Sequence, residues 1–402
     1  MSSFKEKYVN EMVYSLSLVY GNDPEVQKEL KKRVNDIYDK SKQDSELRIY
    51  NNYKRSEMNI TGERFLNLME DNKPVITGYG TIFKVKENVP GKILRYLGSK
   101  RKAVKAKMFE HIKDVDPTLY NMYDLMQKVI KVLANAYYGA FGQVSFQFFN
   151  PFLGPSVTYT GVIIIQSAVL AFEAFLSGNF VFDNFDELVL YVKNIHKEEH
   201  DSDVSLFGEI ENIDELLCDW LYSKVNFDFT EYHAEVLSAI IENLSYSQKE
   251  VLLCKNNMNL FLQSEYVIDL LLNCVHPKFT DANEPPEEIK EYVDELLLLT
   301  EYFVMYHYQW HNREVKAERN RDVIVISDTD STFLYLGPYT DWYKTQSGKE
   351  KLERIERINC SNVFTYLSAK LVKKVFMNVT KNLNVPEKER DMIDMKNEFY
   401  YS

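Results

Sequence analysis

With 402 residues, 45% of them hydrophobic and 14% aromatic, the chain carries enough apolar material for a large core and a length suited to two or three domains. A formal net charge of −12 excludes a protein that coats nucleic acid non-specifically over its whole surface, while leaving room for a local basic site. Four cysteines (Cys218, Cys254, Cys274, Cys360) lie far apart without a C-x-x-C, which excludes a zinc ribbon and a disulfide framework and fits a reducing cytoplasm.

In chain order, residues 1–60 are polar, with apolar positions at mixed helical spacing (Tyr8, Met12, Leu16, then Leu30, Val34, Ile37, Tyr38) that predict two or three solvated helices and no chemistry. Residues 78–85 are glycine-punctuated and then alternate, predicting a strand that leads to Pro90-Gly91. The next stretch, 91–107, holds seven basic residues and no acidic one. On a helix Arg101 and Lys105 share a face, spaced to grip one polyphosphate, although a solvated basic face has the same composition. Residues 122–139, placed at 100° per residue, separate into two faces. Met122, Leu125, Met126, Val129, Leu133 and Ala136 form an apolar stripe expected in the core. Gln127, Lys131, Asn135 and Tyr138 form the opposite stripe, a row able to hold phosphate, hydrogen bonds and a stacked base, with Gly139 expected to end or break the helix.

The most apolar stretch, 161–176, is interrupted by Gln166, Ser167 and Glu173 and reads as a buried helix, too short to span a bilayer; no signal peptide is read at the amino terminus. Residues 183–318 are helical by pattern, acidic at first (Asp183, Asp186, Glu187, Glu198, Glu199, Asp201, Asp203), and end in a long predicted helix over 286–318. Acidic helices suit a protein partner better than DNA. Within this stretch His196-Lys197-Glu198-Glu199-His200 spells the H-x-x-E-H of a zinc peptidase family, but without an apolar stripe to bury a metal it reads as a solvated polar run. His307 and His311, four apart, sit among Tyr306, Tyr308 and Trp310 with no acid between, which favours aromatic packing.

The sequence then reaches Val323 to Tyr335, VIVISDTDSTFLY. Val323 to Ile326 predict a strand buried on both faces, and Phe333 and Tyr335 open a second alternation after a polar break, so a hairpin is expected. Residues two apart in an extended chain point the same way, so Asp328 and Asp330 would present two carboxylates to one point, a hard-oxygen pair suited to Mg²⁺. An Asx-rich turn capping backbone N–H groups has the same D-x-D sequence.

Lys131-x-x-x-Asn135-x-x-Tyr138-Gly139, preceded by Arg101-x-x-x-Lys105 and followed by Asp328-Thr329-Asp330-Ser331, resembles the fingers and palm of family B DNA polymerases. Ala140-Phe141-Gly142-Gln143-Val144-Ser145-Phe146 is similar to the continuation found in T-even-type bacteriophage enzymes, and the likeness covers 61–182 and 319–402. The resemblance implies an α+β fold: an antiparallel palm sheet with helices, helical fingers and a large helical insertion. Its expected boundaries are 1–89 (palm, amino-terminal part), 90–145 (fingers), 146–182 (palm helix), 183–318 (insertion) and 319–402 (palm with the catalytic hairpin). It implies that Arg101, Lys105 and Lys131 grip the incoming triphosphate, and that Asn135 and Tyr138 line the nascent base pair. Tyr138 and Gly139 would meet the DNA, and Asp328 and Asp330 would be catalytic ligands of Mg²⁺. Glu398, within Asp394-Met395-Lys396-Asn397-Glu398-Phe399, matches a late palm carboxylate.

The chain also departs from the family. It has no D-x-x-S-L-Y-P-S segment, no amino-terminal exonuclease motifs, no K-K-R-Y segment, and Ala136 stands where a serine is usual. The expectation is therefore a subunit of a split polymerase in the cytoplasm of a phage-infected bacterium, without a membrane. It would act on primer-template DNA and deoxynucleoside triphosphates once joined by chains carrying the missing palm aspartate, exonuclease and thumb. The competing expectations are a catalytically inactive polymerase-like scaffold or DNA-binding subunit, and the zinc peptidase.

Overall fold

The computed structural model describes residues 4–41, 46–51, 55–84, 89–111, 115–197, 204–308, 321–328, 331–391, 393 and 395. The described chain runs α1 (Phe4–Tyr20), α2 (Pro24–Ser41), β1 (Glu46–Asn51), β2 (Ser56–Thr61), α3 (Gly62–Asn72), β3 (Val75–Ile76), β4 (Ile82–Phe83), α4 (Val89–Phe109), α5 (Pro117–Ala140) and α6 (Leu153–Ser177). It continues through α7 (Phe185–Lys197), α8 (Ile213–Tyr222), α9 (Glu231–Glu242), α10 (Tyr246–Cys254), α11 (Met258–Phe261), α12 (Glu265–Cys274) and α13 (Lys290–Phe303). Last come β5 (Ile324–Asp328), β6 (Ser331–Leu334), α14 (Gly337–Gln346), α15 (Arg354–Asn382) and α16 (Glu387–Arg390). Helix dominates, and the strands form three separate antiparallel pairs, β1–β2, β3–β4 and β5–β6, compatible with an α+β class. The four cysteines are free thiols.

The chain divides into two compact units. The smaller comprises 72–163 and 383–385. In it β3 and β4 make a short pair (Val75 opposite Phe83, Ile76 opposite Ile82), and the Ile76 N–H donates to the Leu383 carbonyl. The strand predicted over 78–85 is thus two residues long, because Thr77 to Gly80 form a turn closed by the Gly80 N–H on the Thr77 carbonyl. Pro90 sits in the first turn of α4, where its missing N–H has no helical partner to lose. Asp116 caps α5 by accepting from the Leu119 N–H at 3.3 Å, with Pro117 opening the helix. The two helices pack through Leu97, Val104 and Ile130, with Tyr123 and Ala134 against them.

The larger unit holds 1–71, 164–382 and 386–402. Two amino-terminal helices are present as expected, but α1 meets α2 through Val9 and Val13 against Leu30 and Val34, leaving Met12 and Ile37 exposed, and β1 and β2 pair antiparallel where the helical reading had no strand. Leu47 and Ile49, and Met58 and Ile60, do alternate with polar residues, but over runs so short and so largely exposed that they leave only Ile60 buried. The helical character read for 183–318 is present in α7 to α13, whose buried faces include Leu188, Tyr191, Leu217, Ile240, Val251 and Leu296. The predicted long helix is shorter than expected: α13 ends at Phe303, and Val304, Met305 and Tyr306 follow as buried non-helical chain. Residues 309–320 lie outside the described set.

Helix α6 also corrects the sequence reading. At 25 residues it is long and apolar enough to cross a membrane by length and composition, because the apolar run starts earlier than 161 and its polar interruptions do not end the helix. Its carboxyl-terminal half is buried, with Ala168, Phe172, Phe175 and Leu176 each under 5% exposed, which is the environment of a core helix.

Candidate functional site

Two sets of residues carry the expected chemistry, one in each unit. In the smaller unit the buried positions of α4 are Leu97, Val104 and Met108, and a 4–3–4 spacing puts Arg101 on the same seam. Arg101 is accordingly half-buried, and its Nε donates to Gln127 Oε1 at 3.2 Å. Gln127 is itself buried and donates to Asp124 at 3.0 Å, which pairs with Lys128 at 2.6 Å. This network fixes the α4–α5 register and brings Arg101 to a point one helical turn, about 6 Å of rise, from Lys131. Lys131 and Asn135 are exposed on α5. Lys105 is half-buried one turn beyond Arg101, with Nζ 6.0 Å from the centre of the Phe109 ring. Tyr138 is held by its hydroxyl, which donates to the Gly154 carbonyl at 3.0 Å.

Two expectations for this segment are corrected. Gly139 does not end the helix; α5 runs to Ala140, and Phe141 caps it in a right-handed conformation. A Cβ at Gly139 would meet no atom within 4 Å among the described residues, so none of them requires glycine there. The apolar stripe is not core either. Met122, Leu125, Met126, Val129 and Leu133 are 41–63% exposed, and Ala136 is exposed too. The reason is the placement of α4: it covers the side of α5 bearing Tyr123, Gln127, Ile130 and Ala134, roughly a third of a turn away from the stripe.

In the larger unit β5 and β6 pair antiparallel, with Ile324 opposite Leu334, Ile326 opposite Phe333, Ser327 opposite Thr332 and Asp328 opposite Ser331. A bulge falls between Ile324 and Ile326. The hairpin was legible, but burial on both faces was not borne out. Val323 and Ile324 are buried, whereas Val325 and Ile326 are 64% and 58% exposed. With only one partner strand among the described residues, the distal part has no second layer over it, and the bulge puts two consecutive side chains outward. The Asp328 side chain, Thr329, Asp330 and Glu398 lie outside the described residues, as do Glu198, Glu199, His200 and His311.

What holds the base of the hairpin is a residue the sequence reading noted only as an interruption. Glu173 of α6 is 4% exposed, and its carboxylate accepts from three consecutive backbone N–H groups: Asp322 at 3.0 Å, Val323 at 3.1 Å and Ile324 at 2.7 Å. Asn179 Nδ2 donates to it as well, at 3.1 Å. The apolar side of the same joint is Ile324 packed among Ala168, Val169 and Phe172 of α6 and Val372 and Phe376 of α15. Leu334, Ile393 and Met395 pack against that cluster. An acid in the middle of an apolar helix was the available signal, since a buried charge has to be met by donors.

The described histidines of this part of the chain have other partners. His196 closes α7, whose Tyr191, Val192 and Ile195 are buried, so an apolar stripe does adjoin the H-x-x-E-H sequence, contrary to expectation. The His196 Nδ1 is hydrogen-bonded to the Tyr14 hydroxyl, and burial holds its pKa below the usual histidine range. His307 stacks on Tyr308 with ring centres 4.7 Å apart, in line with the aromatic packing expected, and burial lowers its pKa to about 4. Among the described residues no three His, Cys, Asp or Glu side chains group so as to hold a metal ion.

Lys131, Asn135 and Tyr138 lie on one long helix, and Asp328 pairs with Ser331 on strands rooted in a helical core; these are the segments whose sequence resembles a polymerase. Comparison with protein families agrees: the family described as DNA polymerase family B matches residues 27–196, and that described as divergent family B DNA polymerase matches residues 276–402. These two matches support a family B DNA polymerase fragment. The residues between them, 197–275, match neither. No curated protein and no solved structure matches the chain.

Proposed function

We propose that this chain contributes the nucleotide grip and part of the metal centre to template-directed nucleotidyl transfer. The observation that supports this best is a coincidence of position. Asp328 and Ser331, which flank Thr329-Asp330 in the sequence, pair across antiparallel strands inside one family B segment, while Lys131 and Asn135 are exposed on one helix face inside the other. In this reading Arg101, Lys105 and Lys131 bind the triphosphate, Asn135 and Tyr138 line the nascent pair, and Tyr138 and Gly139 face the DNA.

Family B DNA polymerases typically use divalent metal ions. A pair of aspartates supplies the hard oxygen donors that Mg²⁺ prefers, so Asp328 and Asp330 would hold it, and the ion would neutralise charge developing on the attacking and leaving oxygens. Two carboxylates are too few for a two-metal clamp. The 402 residues contain no D-x-x-S-L-Y-P-S segment, and we assign that aspartate, with exonuclease and thumb, to further polypeptide that joins this chain. The 402-residue protein alone should extend no primer with Mg²⁺, and should do so once combined with a polypeptide bearing that segment; extension by the rigorously purified chain alone would overturn the division of labour.

Lys131→Ala and Arg101→Ala should raise the apparent KM for nucleotide and lower kcat in the assembled enzyme, leaving primer-template affinity nearly unchanged. Losing one charge-assisted contact to phosphate costs roughly 1.5 to 3 kcal/mol, about ten- to a hundredfold in kcat/KM. Lys131 is the cleaner probe, because Arg101 also holds Gln127. Steady-state kinetics beside a gel shift decides the matter: weakened DNA binding with unchanged nucleotide kinetics would make the basic segment a duplex contact.

A glycine inside a helix costs about 0.5–1 kcal/mol relative to alanine, and none of the described residues explains that cost at Gly139. Gly139→Ala should therefore raise thermal stability while slowing nucleotide incorporation, because the missing Cβ leaves room for the substrate pair. A melt and a primer-extension assay on the same preparation test this; a stabilised variant with undiminished incorporation counts against the role given to Gly139.

The second reading, an inactive scaffold, draws on the divergence of the 276–402 segment. It predicts that Lys131→Ala changes nothing the assembled complex does.

A further inference from the structure

The exposed stripe of α5 has an organisation beyond mere apolarity. Met122, Leu125, Val129 and Val132 succeed one another at 3–4–3 spacing, the a and d positions of a heptad, and Met126 and Leu133 widen the seam on one side. These six side chains are 41–67% exposed. With Ala136 they cover an arc of about 120° and about 21 Å of helix, and no polar residue between 122 and 136 falls inside that arc. A contiguous apolar face of this kind on an otherwise charged hairpin marks an interaction surface.

What would cover it follows from charge and length. Beside the seam, on the polar flank of α5, lies Lys128, whose single acidic neighbour Asp124 is already ion-paired to it. The helix packed along the other flank, α4, carries Lys92, Arg95, Lys100, Arg101, Lys102, Lys105 and Lys107 and no acid. Across residues 72–163 there are thirteen Lys and Arg against five Asp and Glu. A second copy of the same stripe would bring like charges together. We propose that the α5 stripe docks an amphipathic helix from another protein chain, one whose apolar a/d seam is bordered by Asp and Glu. The short seam sets a transient affinity, and the lysines select the acidic flanks. This stands apart from the nucleotide chemistry, since Lys131 and Asn135 lie on the opposite side of the helix.

The test uses the full 402-residue chain and three fluorescein-labelled synthetic helices of 21 residues, followed by anisotropy. The first has Leu at a and d with Glu at e and g; the second replaces Glu by Lys; the third keeps Glu and replaces Leu by Ser. The first should bind with a Kd on the order of 10 µM, and the other two at least tenfold more weakly. Val129→Asp should weaken the first at least tenfold with an unchanged circular dichroism spectrum, and Val129→Leu should retain it. Equal binding of all three, binding of none, or indifference to Val129→Asp overturns the proposal. So does a dimer in light scattering that Val129→Asp dissolves, or full displacement of the first peptide by primer-template DNA, since either assigns the stripe to a different occupant.

Discussion

The assembled enzyme carrying Asp330→Asn should show no measurable primer extension, a loss of at least about a thousandfold, or roughly 4 kcal/mol in transition-state stabilisation. On the proposed assignment the amide keeps the size and one oxygen of the carboxylate but removes a charge that would help to hold a divalent cation and neutralise the transferring phosphoryl group. Asp328→Asn should be milder, because Asp328 pairs with Ser331 through the backbone and that pairing survives the change. Single-turnover extension with Mg²⁺, and again with Mn²⁺, measures the effect; a rate for Asp330→Asn within a few-fold of the wild type would remove Asp330 from the metal centre.

Nearly as large should be the structural effect of Glu173→Ala. The carboxylate satisfies three consecutive backbone N–H groups at the entry to β5, and removing it strands them next to Ile324 in a packed cluster. Each orphaned buried donor costs about 1–3 kcal/mol, and partial rescue by water brings the expected loss to about 3–5 kcal/mol. Glu173→Gln, which keeps one acceptor oxygen, should fall between. Urea unfolding with limited proteolysis of the 321–335 segment reads both consequences. A midpoint unchanged within error, with no new cleavage near residue 322, would mean that packing alone roots the hairpin.

The sequence made the helices α4 and α5, the β5–β6 hairpin and the helical run after 183 legible because each rests on local signals: a charge block, a 3.6-residue period, a β-branched run with a polar break. What it left dark is decided by partners far along the chain. Periodicity divides α5 into an apolar and a polar face, but which face is covered depends on where α4 lies, and α4 chose the Gln127–Ile130 side. The apolar look of Val325 and Ile326 implies burial only if a second layer exists to bury them. The exposed polar row on α5 was readable as a spacing, whereas the role of Glu173 needed the tertiary contact, since an acid inside an apolar helix says that donors must exist without saying which.

The Glu173 contact also bears on the order in which the molecule forms. Its three hydrogen bonds join residues 149 to 151 positions apart, so the root of the hairpin closes only after the whole intervening chain, α7 to α13 included, has been brought round. Closing a loop of that length costs about 4 kcal/mol of chain entropy before any contact returns it. Helices α4 and α5, joined by a short connection, face almost no such barrier. The α4–α5 pair is thus an early-folding element, and the β5–β6 strands are among the last to order, both in time and along the emerging polypeptide.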